Sequence, residues 1–152
     1  MIKLQEALIT DAKIITEIKK EAYNDETRRF GPGRDGGPTG YDSIEENKRL
    51  IDEFDVYKIL LSKQIIGCFW LKKEGQYHYE LEDFCIHPKH HNKGYGKTVM
   101  ILMEEMLPYI KKWTLGRPHY SVRNQHLYEK MGYKKIGEVE DGFLFLYEKH
   151  CV

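Results

Sequence analysis

The 152-residue sequence lacks an excess of charge of either sign, because 24 Lys and Arg residues balance 24 Asp and Glu residues. No global field therefore exists to attract nucleic acid or a membrane surface, and any anion site must be built locally. The sequence also lacks a long apolar run. The stretch from Ile65 to Leu71 is far shorter than the ~18 residues that a membrane span needs. These absences predict a protein with no nucleic-acid partner and no membrane partner.

Cysteine is scarce as well. The three cysteines, Cys68, Cys85 and Cys151, show no CxxC spacing and cannot all pair within the chain. The N-terminus, Met1 to Glu6, lacks the basic and apolar blocks of a secretory signal. Because disulfides mark secreted chains, we predict a reduced, cytoplasmic protein.

The composition that is present indicates one folded domain. The chain is 41% hydrophobic and 12% aromatic, which is enough apolar material for a core. At roughly 100 to 200 residues per domain, the length predicts a single domain over residues 1–152.

Hydrophobic periodicity predicts the element order β α α β β β α β α β β. The strands are predicted at residues 2–9, 56–61, 65–71, 77–87 and 113–115, and in a hairpin over 134–149 that turns at Asp141-Gly142. The helices are predicted after Thr10-Asp11, from Ser43 to near Phe54, from about Gly94, and from Asn124 to Met131. Between the first two helices, residues 31–40 hold five glycines and two prolines, which predicts an irregular loop.

Residues 81–98, LEDFCIHPKHHNKGYGKT, predict an anion site. A strand runs to a proline and then into a glycine-containing turn that opens a helix. Free N–H groups and the helix dipole attract anions there, and Gly94 and Gly96 let a phosphate approach the backbone. Between His87 and Thr98 the chain has three lysines and no acid. This local positive charge suits a pyrophosphate.

Two phosphate-binding patterns compete for this segment. The nucleotide P-loop requires G-x-x-x-x-G-K-[ST], but His91 occupies its first glycine position. The acyl-CoA loop of the GCN5-related N-acetyltransferases (GNAT) is [RQ]-x-x-G-x-[GA] after a strand ending in V-x-P. The run from His91 to Gly96, after Ile86-His87-Pro88, resembles it, with His91 as the one departure.

A second segment, residues 124–133 (NQHLYEKMGY), resembles the N-x-x-x-x-x-Y-E-K-x-G-[FY] segment that GNAT proteins carry near their C-terminus. Only three residues separate Asn124 from Tyr128 here, fewer than in that pattern. Alone, the segment would equally predict an amphipathic helix with a glycine C-cap. A P-loop protein would continue with alternating strands and helices, which residues 111–152 do not show. The two segments together therefore favour the GNAT resemblance.

The resemblance implies an α/β (α+β) GNAT fold, a mixed and mainly antiparallel sheet flanked by helices, with acyl-CoA in a cleft between splayed central strands. It implies acetyl-CoA as the acetyl donor, with a main-chain N–H near Phe84 to Ile86 polarising the thioester carbonyl. Tyr128 falls where the family places the acid that protonates the departing thiolate. The implied cofactor-binding residues are Phe84, Cys85, Ile86, His91, Asn92, Lys93, Gly94, Tyr95, Gly96, Lys97, Thr98, Asn124, Tyr128 and Lys130.

The implied acceptor is a primary amine of a small molecule, which at a pKa near ~10.4 is mostly protonated and needs a base. Leu81-Glu82-Asp83, ahead of an aromatic residue and then x-[VI]-x-P, resembles the spermidine/spermine acetyltransferases and their relatives. There the glutamate acts as base and the aspartate contacts the amine, which implies Glu82 and Asp83 in these roles. Glu80 lies on the same strand face, as a second substrate-binding residue and a competing base.

Other features leave alternatives open. His87, His90 and His91 lack a nearby Cys or clear fourth ligand, so we predict no metal. We predict that Cys85 packs in the core, because the family implies direct transfer in a ternary complex. The 31–40 loop is predicted to be either a lid or a passive connection.

The rival to an N-acetyltransferase is a non-catalytic acyl-CoA-binding or regulatory module. The sequence does not identify the amine, which could be a polyamine, an amino acid, an aminoglycoside or a protein N-terminus. It also leaves the oligomeric state open, with a homodimer as the commonest assembly for such domains.

Overall fold

The computed structural model describes residues 1–151 and contains one seven-stranded sheet. The strands are β1 (Ile2–Glu6), β2 (Asp55–Leu61), β3 (Gln64–Gly75), β4 (His78–Ile86), β5 (Lys112–Pro118), β6 (Lys134–Val139) and β7 (Leu144–His150). They lie in the order β1-β2-β3-β4-β5-β7-β6. Every neighbouring pair is antiparallel except β4 and β5, which are parallel. The predicted mixed, mainly antiparallel sheet is confirmed.

Four α-helices join the strands in the predicted order. They are α1 (Ala12–Arg29), α2 (Ile44–Glu53), α3 (Tyr95–Met106) and α4 (Val122–Lys130). The predicted cap of α2 forms, because Ser43 Oγ accepts a hydrogen bond from the Glu46 N–H at 3.1 Å. Within residues 1–151, none of the helices has the length and apolar character needed to cross a bilayer.

Some predicted boundaries were wrong. The first strand stops at Glu6 rather than residue 9, because a short 3₁₀ turn, Ile9–Asp11, follows it. The Asp11 carboxylate accepts a bond from the Leu8 N–H at 2.8 Å and holds that turn. The strand predicted at 113–115 extends to Pro118, and α4 begins two residues before Asn124. The longer β5 adds Arg117 to the sheet, with consequences for the site.

An apolar core lies on each face of the sheet. One core packs α3 and α4 against residues such as Phe69, Phe84 and Trp113. The other packs α1 and α2 against the opposite face, and it contains Cys68 and Cys85, as predicted for Cys85. Since Phe84 and Cys85 are adjacent on β4 yet belong to different cores, β4 is covered on both faces, as a central strand is.

The sheet opens between β4 and β5. The two strands pair only from His78 to Glu80 and from Lys112 to Thr114, although both continue further. On its other side, β4 carries a bulge, since Cys85 pairs with Cys68 and Glu82 pairs with Trp70. Beyond Glu80 the strands diverge into a wedge, which lies at the candidate site.

Candidate active site

Two cavities meet at the wedge between β4 and β5. The helix cavity, about 700 Å³, lies between the end of β4 and the starts of α3 and α4. The loop cavity, about 600 Å³, lies between β4, β5 and the 31–40 loop. Four residues line both cavities: Tyr23, Glu26, Phe84 and Arg117. The two cavities therefore lie next to each other and share a wall that includes Phe84 and Arg117.

The helix cavity is built for an anion. Its wall includes the first turn of α3, whose leading N–H groups have no partner within the helix. Four cations line it, against two acids, Glu26 and Glu129. They are Lys97, Arg117, Arg123 and Lys130. The phosphates of the implied acetyl-CoA fit this charge and these donors, and the volume suits a ligand of that kind.

The two glycines of the loop have different structural roles. Gly94 has φ +80° and caps α3, and a Cβ there would meet no atom within 4 Å. Gly96 faces α4, and a Cβ there would meet Leu127 Cδ2 at 3.0 Å. Gly94 is thus required by its conformation, and Gly96 by close helix packing. Room for a phosphate over both glycines stays a prediction.

His91 ties the loop to the end of β4. Its Nε2 donates a hydrogen bond to the Ile86 carbonyl at 2.6 Å. Burial lowers the pKa of His91, which favours the neutral ring at pH 7. The residue at the family's Arg or Gln position thus holds the loop without adding charge. Among residues 1–151, no group of three or more His, Cys, Asp or Glu side chains is arranged to hold a metal ion.

Most of the predicted cofactor-binding residues come together. Eleven line the helix cavity: Phe84, Cys85, Ile86, His91, Asn92, Gly94, Tyr95, Gly96, Lys97, Asn124 and Lys130. Three do not. Lys93 is exposed, Thr98 Oγ1 donates to the Gly94 carbonyl at 3.2 Å, and Tyr128 lines the loop cavity.

The loop cavity carries the opposite charge. Five acids line it against two arginines, Arg34 and Arg117. The acids are Glu26, Asp35, Glu82, Asp83 and Glu140. Aromatic rings from Tyr23, Phe84, Tyr120 and Phe143 complete the wall. Carboxylates and aromatic faces both attract a cationic ligand.

Glu82 and Glu80, the two competing bases, lie in different surroundings. Glu82 lines the loop cavity, whereas Glu80 is not part of the described wall of either cavity. Burial raises the pKa of Glu82 to about 7, with a further contribution from the charges of Glu80 and Asp83. Burial and Glu74 raise the pKa of Glu80. A carboxylate with a pKa near 7 is poised to accept a proton at neutral pH.

Asp83 is held by protein donors. Its carboxylate accepts from Trp70 Nε1 at 2.8 Å and from the buried Lys19 Nζ at 3.1 Å. Lys19 also donates to Asn47 Oδ1 at 2.7 Å. The backbone of Asp83 is left-handed, with φ +48°, at the bulge of β4. The network anchors the residue next to Glu82, and a contact between Asp83 and an amine stays a prediction.

Tyr128 is buried with Arg117, a residue that the sequence interpretation missed. The Tyr128 hydroxyl accepts a hydrogen bond from Arg117 Nε at 3.0 Å. Arg117 Nη2 also donates to the Phe84 carbonyl. The sequence does carry a signal for Arg117, because Trp113, Leu115 and Arg117 are spaced two residues apart and so share one face of β5. All three are buried in the structure.

Glu26 was also missed. It lies on α1, is 8% exposed, and accepts hydrogen bonds from Ser121 Oγ at 3.1 Å and Asn124 Nδ2 at 2.9 Å. It follows Ala22 by four residues on the buried stripe of α1, which is the signal that predicts its burial. Asn124, predicted to bind the cofactor, is therefore fixed by a carboxylate at the junction of the cavities.

The 31–40 loop is irregular, as predicted, and is fastened to α1. The Gly36 N–H donates to Asn24 Oδ1 at 3.1 Å, and the Gly33 N–H donates to the Thr27 carbonyl at 2.9 Å. Arg28 pairs with Asp35. The loop forms one wall of the loop cavity, and its action as a lid stays a prediction.

Comparison with known proteins relates this site to a family. A family model described as "Acetyltransferase (GNAT) domain" matches residues 52–135, more than half of the chain. Among curated proteins, no sequence match is found.

Solved structures share the fold at low sequence identity. The PaiA N-acetyltransferase of Thermoplasma acidophilum, in complex with coenzyme A, is 20% identical, with a TM-score of 0.79 over 99% of both chains. An acetyltransferase from Thermus thermophilus is 13% identical, with a TM-score of 0.81 over 99% of this chain and 97% of that one. The spermidine N-acetyltransferase of Vibrio cholerae, in complex with CoA and spermine, is 18% identical, with a TM-score of 0.73 over 98% and 95%. These likenesses confirm the fold, and the family match shows that the chain belongs to the GNAT acetyltransferases, which use acetyl-CoA as their acetyl donor.

Proposed function

We propose that this acetyltransferase moves the acetyl group of acetyl-CoA directly to a primary amine of a small cationic molecule, within a ternary complex. One observation carries the proposal: a cavity with more cations than acids and a cavity with more acids than cations adjoin at Phe84 and Arg117. The first suits the phosphates of the donor, and the second suits an ammonium group.

The helix cavity holds the donor in this proposal. The first N–H groups of α3, with Lys97, Arg123 and Lys130, bind the phosphates. When bound there, acetyl-CoA supplies an activated acetyl group on a thioester. The backbone of β4 from Phe84 to Ile86 lines the same cavity and positions the thioester end at the junction.

Glu82 serves as the base. An amine reacts only as the free base, so its ammonium form must lose a proton before it attacks. Glu82 lines the loop cavity, and its pKa of about 7 lets it accept that proton near neutral pH. Its negative charge also attracts the cationic acceptor.

Tyr128 serves as the acid. Its hydroxyl accepts from Arg117, so the phenol proton is directed away from that contact. It lies beside the junction of the cavities, where it donates the proton to the sulfur of the departing thiolate.

The acceptor chemistry rests on the loop cavity. Its acids and aromatic rings favour a cation with an apolar portion. The Vibrio cholerae structure, described with spermine, supports an amine acceptor for this fold. A single domain over residues 1–152, a cytoplasmic location and a homodimer stay predictions.

A panel assay tests the proposal. Purified protein is given acetyl-CoA and one of four amines: a polyamine, an amino acid, an aminoglycoside or a peptide with a free N-terminus. Thiol release is followed in each case. We expect at least one cationic small amine to accelerate release above the rate without amine. If CoA binds by calorimetry and no amine accelerates release, the protein is the non-catalytic acyl-CoA-binding module instead.

A further inference from the structure

Arg117 crosses the wedge between β5 and β4. It is 7% exposed and lines both cavities. Its guanidinium contacts two neutral acceptors, the Tyr128 hydroxyl and the Phe84 carbonyl. Thus one side chain joins the tyrosine of α4 to the strand along which the donor lies.

In the part of the chain that the structure describes, the positive charge of Arg117 has no negatively charged group in direct contact. Within residues 1–151, no carboxylate forms an ion pair with this guanidinium, although thirteen ion pairs with Lys or Arg occur elsewhere. Glu26, the buried acid nearby, is held by Ser121 and Asn124. Burial lowers the pKa of Arg117, but Tyr128, Tyr23 and the nearby charge of Glu26 raise it by more, so the guanidinium stays charged. Arg117 therefore holds a full positive charge against the Tyr128 hydroxyl.

We propose that Arg117 is a positioning residue for acetyl transfer, which orients the Tyr128 hydroxyl and makes it a stronger acid toward the departing thiolate. The inference rests on the proposed role of Tyr128 as the acid. As the amine nitrogen bonds to the acetyl carbon, the carbon–sulfur bond breaks and sulfur keeps the electron pair. The ammonium nitrogen loses two protons, one to Glu82 before it attacks and one to water as the amide forms, and Tyr128 gives its phenol proton to that sulfur. Water then takes the proton from Glu82 and returns one to Tyr128, so one proton is released for each transfer.

The surroundings of Tyr128 support this role. Burial raises the pKa of Tyr128, and the charge of Arg117 opposes that rise. The other titratable groups that face Tyr128 are Glu26 on α1, Cys85 on β4, Tyr133 after α4 and Tyr147 on β7. Since Arg117 is the one cation among these described neighbours, removing it makes the phenol a weaker acid.

A double-mutant cycle tests the coupling. We expect Tyr128→Phe to lower kcat by ~10²-fold with CoA affinity nearly unchanged. Arg117→Gln should lower kcat by about 10- to 100-fold in the wild type but by less than about threefold in the Tyr128→Phe background. Equal factors in both backgrounds would show that Arg117 acts independently of Tyr128, which overturns the inference. Arg49→Gln, which removes exposed ion pairs with Glu46 and Glu53 on α2, is the control and should leave kcat unchanged.

A readout that does not depend on turnover completes the test. The thiol of bound CoA is titrated by its thiolate absorbance in the ultraviolet. In wild-type protein the thiol should ionise at lower pH than in Arg117→Gln, and Arg117→Lys, which keeps the charge, should lie between them. Identical thiol titrations in all three proteins would contradict the proposal. If Arg117→Gln fails to fold by circular dichroism, Arg117→Lys carries the test, and wild-type kcat and thiol titration in that variant would overturn the inference.

The failures of the two proposals are distinguishable. If wild-type protein transfers no acetyl group to any amine, the proposed function fails. If it does transfer, and Tyr128→Phe is fully active, only the roles of Tyr128 and Arg117 are wrong.

Discussion

Glu82 combines access to the loop cavity with an environment that disfavours its charge. Partial burial and the neighbouring acids raise its pKa to about 7, whereas an exposed glutamate titrates near ~4.3. Because the base must be deprotonated, kcat/KM of the wild-type enzyme should rise with pH through about 7.

The first prediction concerns the loss of this base. Glu82→Gln should lower kcat/KM by ~10²- to 10⁴-fold near neutral pH, because the ammonium form of the acceptor then lacks a proton acceptor. The loss should shrink as pH rises, since solvent supplies the free amine. Initial rates across pH with a fixed amine measure both effects. A loss that is constant with pH would show instead that Glu82 only attracts the cation.

The second prediction tests whether the charge of Glu80 raises the pKa of Glu82. Glu80→Gln removes a like charge that helps to raise the pKa of Glu82, so that pKa should fall. The rise of kcat/KM should then occur at lower pH than in the wild type, with the plateau at high pH retained. A large loss of kcat/KM in this variant that shrinks as pH rises would instead identify Glu80 as the base.

Site residues were predicted where they belong to a family motif. They were missed where they come together only in the tertiary structure. Glu82 and the glycines lie in one continuous segment. Arg117, by contrast, meets Phe84 from 33 residues away, and Glu26 meets Ser121 from 95 residues away. No local pattern in the chain shows that these groups share a junction.

A buried ion pair between α1 and β4 holds the bulged part of β4 in place. The Lys19 and Asp83 side chains are 2% and 18% exposed, and they fix α1 against the left-handed turn of β4 at Asp83. The pair thereby sets where Glu82, the preceding residue, projects.

The third prediction removes that pair. Lys19→Met should destabilise the protein by about 3 kcal/mol, because it leaves the Asp83 carboxylate partly buried without its cation. The adjacent Lys20→Met, which removes a surface pair to Glu17, should cost less than about 0.5 kcal/mol. Urea unfolding of both variants measures the difference. Equal costs would mean that the buried pair does not stabilise β4.

The fourth prediction concerns the contact between α3 and α4. Gly96→Val should weaken acetyl-CoA binding by about tenfold or more, since its Cβ would push Leu127 away from the helix cavity. Removing the clash with Leu127→Ala should restore part of the affinity, as measured by calorimetry. If the double variant binds no better than Gly96→Val, the glycine instead provides room for the ligand itself.

The ends of elements that carry a capping residue were predicted well. The ends of elements without such a residue were not. Ser43 caps α2 by accepting a hydrogen bond from the Glu46 N–H, where the capping pattern places the start of the helix. The first strand was predicted too long, because the apolar residues up to Ile9 suit a strand as well as the 3₁₀ turn that they form. The end of β5 was missed because Gly116 and Pro118 are typical of a turn in sequence, whereas in the sheet both pair with β7.

At the scale of the whole molecule, the short pairing of β4 with β5 places the two cavities side by side. The sheet stays paired elsewhere, so in the proposed function the thioester and the amine meet at the wedge beyond Glu80 and Thr114. The opposite charges of the cavities would then separate the donor from the amine, although the chain as a whole has no net charge. The sequence predicts this fold through its family segments, but not that charge separation, which depends on residues from α1, β5 and the 31–40 loop.

A mass-spectrometric count of products tests whether the protein transfers the acetyl group to an amine. The enzyme is incubated with acetyl-CoA and the best amine of the panel, and N-acetylated amine and free CoA are quantified together. Acetyl transfer to the amine predicts one acetylated amine for each CoA released, with both products reduced equally in Glu82→Gln. Free CoA without acetylated amine, or bound acetyl-CoA that yields neither product, would contradict the account.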